Sequence, residues 1–103
     1  MVRLQWTARI SRGKNMEAVQ WAKATAEHLR STYPDILEVA AYDEHFGNVN
    51  TIHIFSDYKD LATLESVEAR YPSDAAFMDL QKKSNDAGLF IEGSIHGMLV
   101  KSL

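Results

Sequence analysis

Residues Val2 to Ile10 alternate without a break, with Val2, Leu4, Trp6, Ala8 and Ile10 on one side and Arg3, Gln5, Thr7 and Arg9 on the other. A strand has a side-chain period of two, so this stretch demands a sheet with one dry face and one wetter face. The dry face has to be covered by a second layer. With 103 residues there is room for one such core and no separate lobe, so the whole chain, 1–103, is read as a single domain.

The remaining segments supply the cover. Ser11 to Lys14 forms a turn, Asn15 is the expected N-cap, and a long helix carries Met16, Val19, Ala22, Ala26, Leu29 and Tyr33 at steps of three and four before Pro34 ends it. Ile36 to Asp43 and Val49 to Phe55 read as two strands joined through Glu44-His45-Phe46-Gly47-Asn48. Ser56 or Asp57 is expected to cap a second helix with the stripe Leu61, Leu64, Val67 and Tyr71, interrupted by Pro72. Ser73 is expected to cap a third helix, with Phe77, Leu80 and Ala87 inward and Gly88 as its stop. Leu89 to Val100 reads as the last strand, in which Gly93 and Gly97 are expected to let a helix approach closely. The order strand, helix, strand, strand, split helix, strand is an α+β, ferredoxin-like βαββαβ pattern with one four-stranded antiparallel sheet.

Composition narrows the function. Eleven Lys and Arg against fourteen Asp and Glu give a net charge of -3 and no basic block, which argues against nucleic acid as a partner. No Cys is present, so disulfides, thiolate chemistry and Cys-based metal centres are excluded. No apolar run approaches the ~20 residues of a membrane span, and the opening residues lack the apolar core of a secretory signal, so the expectation is a cytoplasmic protein without a membrane partner.

The sheet face opposite the helices would carry Gln5, Thr7 and Arg9, then Thr51, His53 and Phe55, then Glu92, Ser94, His96 and Met98. Phe55, Met98, Val100 and Phe90 make this face apolar enough to favour a partner, read here as a second copy of the chain. The element order, the break at Arg70-Tyr71-Pro72-Ser73-Asp74-Ala75-Ala76-Phe77 and the late Gly88-Leu89-Phe90-Ile91-Glu92-Gly93-Ser94 segment resemble the dimeric α+β barrel superfamily. The antibiotic-biosynthesis monooxygenase, stress-responsive barrel and NIPSNAP-type branches are all similar, and no single one matches throughout. The resemblance implies a homodimer whose two sheets face each other around an enclosed cavity. It also sets out departures. Where polyketide cyclases of this kind carry a His-Pro-x-His segment, the chain has Tyr71-Pro72-Ser73-Asp74, placing Asp74 at the base position. Where haem-degrading members use a His on the last helix, there is none between Ser73 and Gly88.

Placing the first strand between the third and fourth and pairing midpoints puts His53, Gln5 and His96 in one row and Arg9 beside Glu92. The two His backbones are then ~10 Å apart, too far to share one zinc with ease but suited to lining a pocket. Two function classes follow. One is a cofactor-independent monooxygenase or cyclase for an aromatic or polyketide-like compound, with His53 or His96 as general base, and with Gln5, Thr7, Arg9, Thr51, Phe55, Glu92 and Ser94 contacting the ligand. The other is a non-catalytic ligand-binding or assembly module in which the same row only satisfies the dimer interface. No metal, haem, flavin or other cofactor is expected. Tyr42 reads as an interface aromatic, His45 as solvated, and Trp21 and His28 as contacts beside the long helix's core stripe.

Overall fold

A computed structural model describes residues 1–103. Strand β1 (Val2–Arg9) leads into helix α1 (Asn15–Thr32), followed by β2 (Ile36–Asp43), β3 (Thr51–Tyr58), α2 (Leu61–Arg70), a 3-10 turn at Tyr71–Ser73, α3 (Ala75–Ala87) and β4 (His96–Lys101). The sheet is antiparallel throughout in the order β2-β3-β1-β4, the ferredoxin-like arrangement. Helices lie on one face, and the core gathers Val2, Ile10, Ile52, Ile54 and Tyr58 from the sheet layer with Ala22, Ala26, Leu29, Leu64 and Val67 from the helices.

Several boundaries move for physical reasons. The buried stripe of α1 is Ala18, Trp21, Ala22, Thr25, Ala26 and Leu29, whereas Met16 is exposed. The helix is turned so that Trp21, which buries far more apolar surface than Met16, faces inward, and its indole N–H donates to Leu80 O of α3 at 2.8 Å. Asn15 is the first helical residue rather than the cap, and its amide donates to Asn50 Oδ1 at 2.7 Å. Strand β3 runs on through Ser56 and Asp57 because Arg3 of β1 holds Asp57 through two bonds, at 2.7 and 3.0 Å. Neither residue caps α2. Asp60 does, accepting from Thr63 N at 2.8 Å. Pro72 and Ser73 are spent in the 3-10 turn, so Asp74 caps α3 by accepting from Phe77 N at 3.0 Å.

The last strand departs most from expectation. Gly88 ends α3 in the left-handed conformation, Leu89 is buried, and Phe90 makes one bridge to Ile10. The chain then turns at Ile91–Ser94, with Gly93 at φ +82° and Ser94 Oγ donating to Ile91 O at 2.6 Å. The strand resumes only at His96. Ile91 and Ile95 are therefore exposed, and no helix approaches Gly93 or Gly97: a Cβ built at either meets nothing within 4 Å. All six residues of β4 are exposed, on both faces of the sheet.

Candidate functional site

Strand registers arrange the uncovered face in rows. Tyr42, His53, Thr7 and His96 form one row; Ala40, Phe55, Gln5 and Met98 the next; Glu38, Asp57, Arg3 and Val100 the third. His53 and His96 thus share a row as anticipated, but Thr7 stands between them and Gln5 is displaced to the row of Phe55 and Met98. The shift of two residues has two sources: β3 continues to Tyr58 instead of ending at Phe55, and β4 begins only at His96 instead of Leu89. Glu92 and Ser94 lie in the turn before β4, outside the sheet, and no ion pair joins Glu92 to Arg9. Ser94 Oγ instead accepts from the Arg9 backbone N–H at 3.1 Å. Thr51 is buried beside Arg9, and its hydroxyl has no partner.

The polar contacts of this face are internal. His53 Nδ1 lies 2.9 Å from Thr7 Oγ1, and His53 Nε2 lies 2.6 Å from Glu44 Oε1. Glu44 Oε2 accepts from Asn48 N at 2.7 Å, so one carboxylate ties the β2–β3 connection to the sheet. The His53 hydrogen bond and the Asn48 N–H hold the Glu44 carboxyl below the usual carboxylate range. The His53 ring stacks on Phe55, the planes 4° apart, and Phe55 also receives Arg3 over its ring at 5.5 Å. Nothing in the sequence singled out Glu44, because a hairpin side chain four positions from Asn48 has no periodicity to reveal its target.

A second site lies on the helical side of the same sheet. Leu4, Trp6 and Ile54 of the strands, Trp21, Thr25 and Leu29 of α1, and Tyr71 and Phe77 at the helix break line a partly open pocket of about 170 Å³, with Ser56, Glu68 and Gln81 completing its lining. Alternation placed Trp6 on this side. It left unseen that the helices stop short of filling the space above it. The walls are aromatic: Trp6 and Trp21 centroids are 5.5 Å apart, Phe90 meets both edge-on at 5.2 Å, and Tyr71 stacks on Phe77 at 4.0 Å. Thr25 is 3 % exposed and its hydroxyl has no hydrogen-bond partner, although a helical Thr ordinarily bonds back to the preceding turn. Burial pushes the phenols of Tyr58 and Tyr71 up, so both stay neutral.

Behind that aromatic wall, Asp74 gathers three donors. Tyr33 OH donates to Oδ2 at 2.7 Å, His28 Nε2 lies 2.7 Å from the same oxygen, and Oδ1 receives Phe77 N. Burial acts to raise the Asp74 carboxyl, but these bonds outweigh it and bring it down to about 2. Burial, then the bond to Asp74, pushes Tyr33 up to about 12. Tyr33 meets Tyr71 edge-on at 5.6 Å, which links the Asp74 cluster to the cavity. Within the structure there is no group of three or more His, Cys, Asp or Glu arranged to hold a metal ion.

No family model and no curated protein matches the chain. Solved structures do. A candidate antibiotic biosynthesis monooxygenase from Deinococcus radiodurans superposes with a TM-score of 0.77 at 11% identity, over 100% of this chain and 93% of that one. A NIPSNAP domain protein from Burkholderia xenovorans gives 0.78 at 14% identity, over 100% and 95%. A candidate antibiotic biosynthesis monooxygenase from Nitrosomonas europaea gives 0.76 at 12% identity, over 100% and 99%. Identities this low speak to architecture and to no particular chemistry. The chain has the ferredoxin-like α+β fold of the antibiotic biosynthesis monooxygenase-like and NIPSNAP domain proteins.

Proposed function

We propose that the protein binds a small, hydroxyl-bearing aromatic molecule in the cavity between the helices and the sheet. The observation that carries this reading is the Thr25 hydroxyl, buried without a partner against an aromatic-lined space. An unsatisfied buried hydroxyl costs about 1–3 kcal/mol, which a ligand hydroxyl placed beside it would offset. The volume agrees with one ring, since an apolar cavity of ~150 Å³ accommodates benzene. Glu68 and Gln81 add polar groups at the margin that would orient a second substituent. Turnover of the bound ring, by oxidation or ring closure, is the extension of this reading suggested by the likeness to proteins named as monooxygenases.

Titration calorimetry with phenol and with toluene tests the assignment. The wild type should prefer phenol by about tenfold, the worth of one hydrogen bond. Thr25→Val should abolish that preference while raising the melting temperature of the unliganded protein, because the orphan hydroxyl is gone. Equal affinity for the two ligands in the wild type, or a preference that survives Thr25→Val, would overturn it.

A further inference from the structure

On the opposite face of the sheet, Thr7, His53 and Glu44 form a continuous hydrogen-bonded chain. A carboxylate can only accept, so the 2.6 Å contact to Glu44 puts the hydrogen of a neutral His53 ring on Nε2. Nδ1 is then the acceptor, and the Thr7 hydroxyl must point its proton at it across 2.9 Å. Three restraints hold this arrangement. The Asn48 N–H fixes the other oxygen of Glu44, stacking on Phe55 fixes the imidazole plane, and Thr7 sits on a strand paired on both sides. Nucleophile, base and orienting acid stand in hydrogen-bond reach in that order, the constellation that activates a hydroxyl for covalent catalysis. The His53 and Glu44 side chains are 23% and 24% exposed, so the site is open to a ligand. His96, the cross-strand partner of Thr7 on its other flank, makes no side-chain hydrogen bond and is free to act on whatever binds there.

We infer that Thr7 is an acyl-accepting nucleophile and that this face turns over small carboxylic esters. Thr7 Oγ1 attacks the ester carbonyl carbon as its proton passes to His53 Nδ1, and Glu44 steadies the imidazolium so formed. His96 donates to the oxygen on which negative charge develops. The ester C–O bond breaks, and the leaving alkoxide takes the proton from His53, giving an alcohol and an acyl-Thr7 ester. Water, deprotonated by His53, then attacks that ester. The acid departs, and Thr7 Oγ1 recovers its proton from His53. The site is independent of the aromatic cavity, because successive strand residues Trp6 and Thr7 face opposite sides.

The experiment is reaction of the full chain with p-nitrophenyl acetate, followed by intact mass and peptide mapping. The wild type should release a burst of about one p-nitrophenolate per chain and carry one acetyl group on the peptide containing Thr7. Thr7→Ser should keep the burst. In folded protein, Thr7→Val should abolish it, His53→Gln should slow it by ~10² or more, and Glu44→Gln should slow it by about tenfold or more. Acetyl found only on lysines or the amino terminus of the wild type would overturn the inference, as would a burst unchanged by Thr7→Val. Mapping the wild type decides the matter even where Thr7→Val fails to fold.

Discussion

Asp74 has the most to lose of any single side chain, because one carboxylate caps α3, receives the buried Tyr33 hydroxyl and holds His28. Its carboxyl is held at about 2 in the fold against an ordinary value near 3.8. The folded value is the lower one, so the stabilisation is fully present above pH ~4 and is lost as the pH falls through about 2. A shift of this size is worth on the order of 2 kcal/mol. Asp74→Ala should therefore destabilise the protein by about 2–4 kcal/mol at pH 7, with loss of the cap and an unpaired Tyr33 hydroxyl adding to the charge effect. Urea melts at pH 7 and near pH 2 should show the gap between wild type and variant closing in acid; a gap of equal size at both would remove the carboxylate from the explanation. The position was visible in the sequence as the residue following the Tyr71-Pro72-Ser73 break. Its partners were not, because His28 of α1 and Tyr33 at that helix's C-cap reach it across more than forty residues of chain.

At the scale of elements, legibility followed the strength of the local pattern. The unbroken alternation of β1 and the left-handed stop at Gly88 could be read directly, since each rests on backbone geometry within a few residues. The start of β4 could not. Ile91, Gly93 and Ile95 continue a period of two, yet Gly93 adopts φ +82° and breaks the strand. Alternation says which residues would share a face, not whether the ladder persists. The glycines accordingly separate into two kinds. Gly88→Ala should cost about 1–2 kcal/mol, because φ is +60° there while a Cβ meets nothing within 4 Å, leaving conformation as the sole penalty. Gly97→Ala, in extended backbone with equally open surroundings, should change stability by less than ~0.5 kcal/mol or raise it slightly. Thermal melts of the pair check the distinction. Equal costs would mean that something packs over Gly97 after all.

Considered as a whole, the molecule leaves its fourth strand unfinished. The helices cover β1, β2 and β3, whereas β4 ends the sheet with an open edge and no buried residue on either face. Met98, Leu99 and Val100 are all exposed, and Met98 continues the row of Gln5 and Phe55 across the open sheet. Periodicity identified the dry face of β1 but gave no means of telling that α1, α2 and α3 would leave the fourth strand uncovered. An apolar, unpaired edge of this kind invites pairing with another chain. The occupant we propose is a second copy, since every molecule presents the same edge and a two-fold arrangement would satisfy both edges at once. The prediction is a homodimer: light scattering at micromolar concentration should return about twice the chain mass of 11.6 kDa. Met98→Glu would place an unpaired carboxylate in that contact and should weaken association by at least about tenfold. The fold itself should survive, because an exposed side chain of the free chain is being replaced. A wild type that scatters as a monomer, or a Met98→Glu dimer as tight as the wild type, would show that this edge is not where the chain meets its copy.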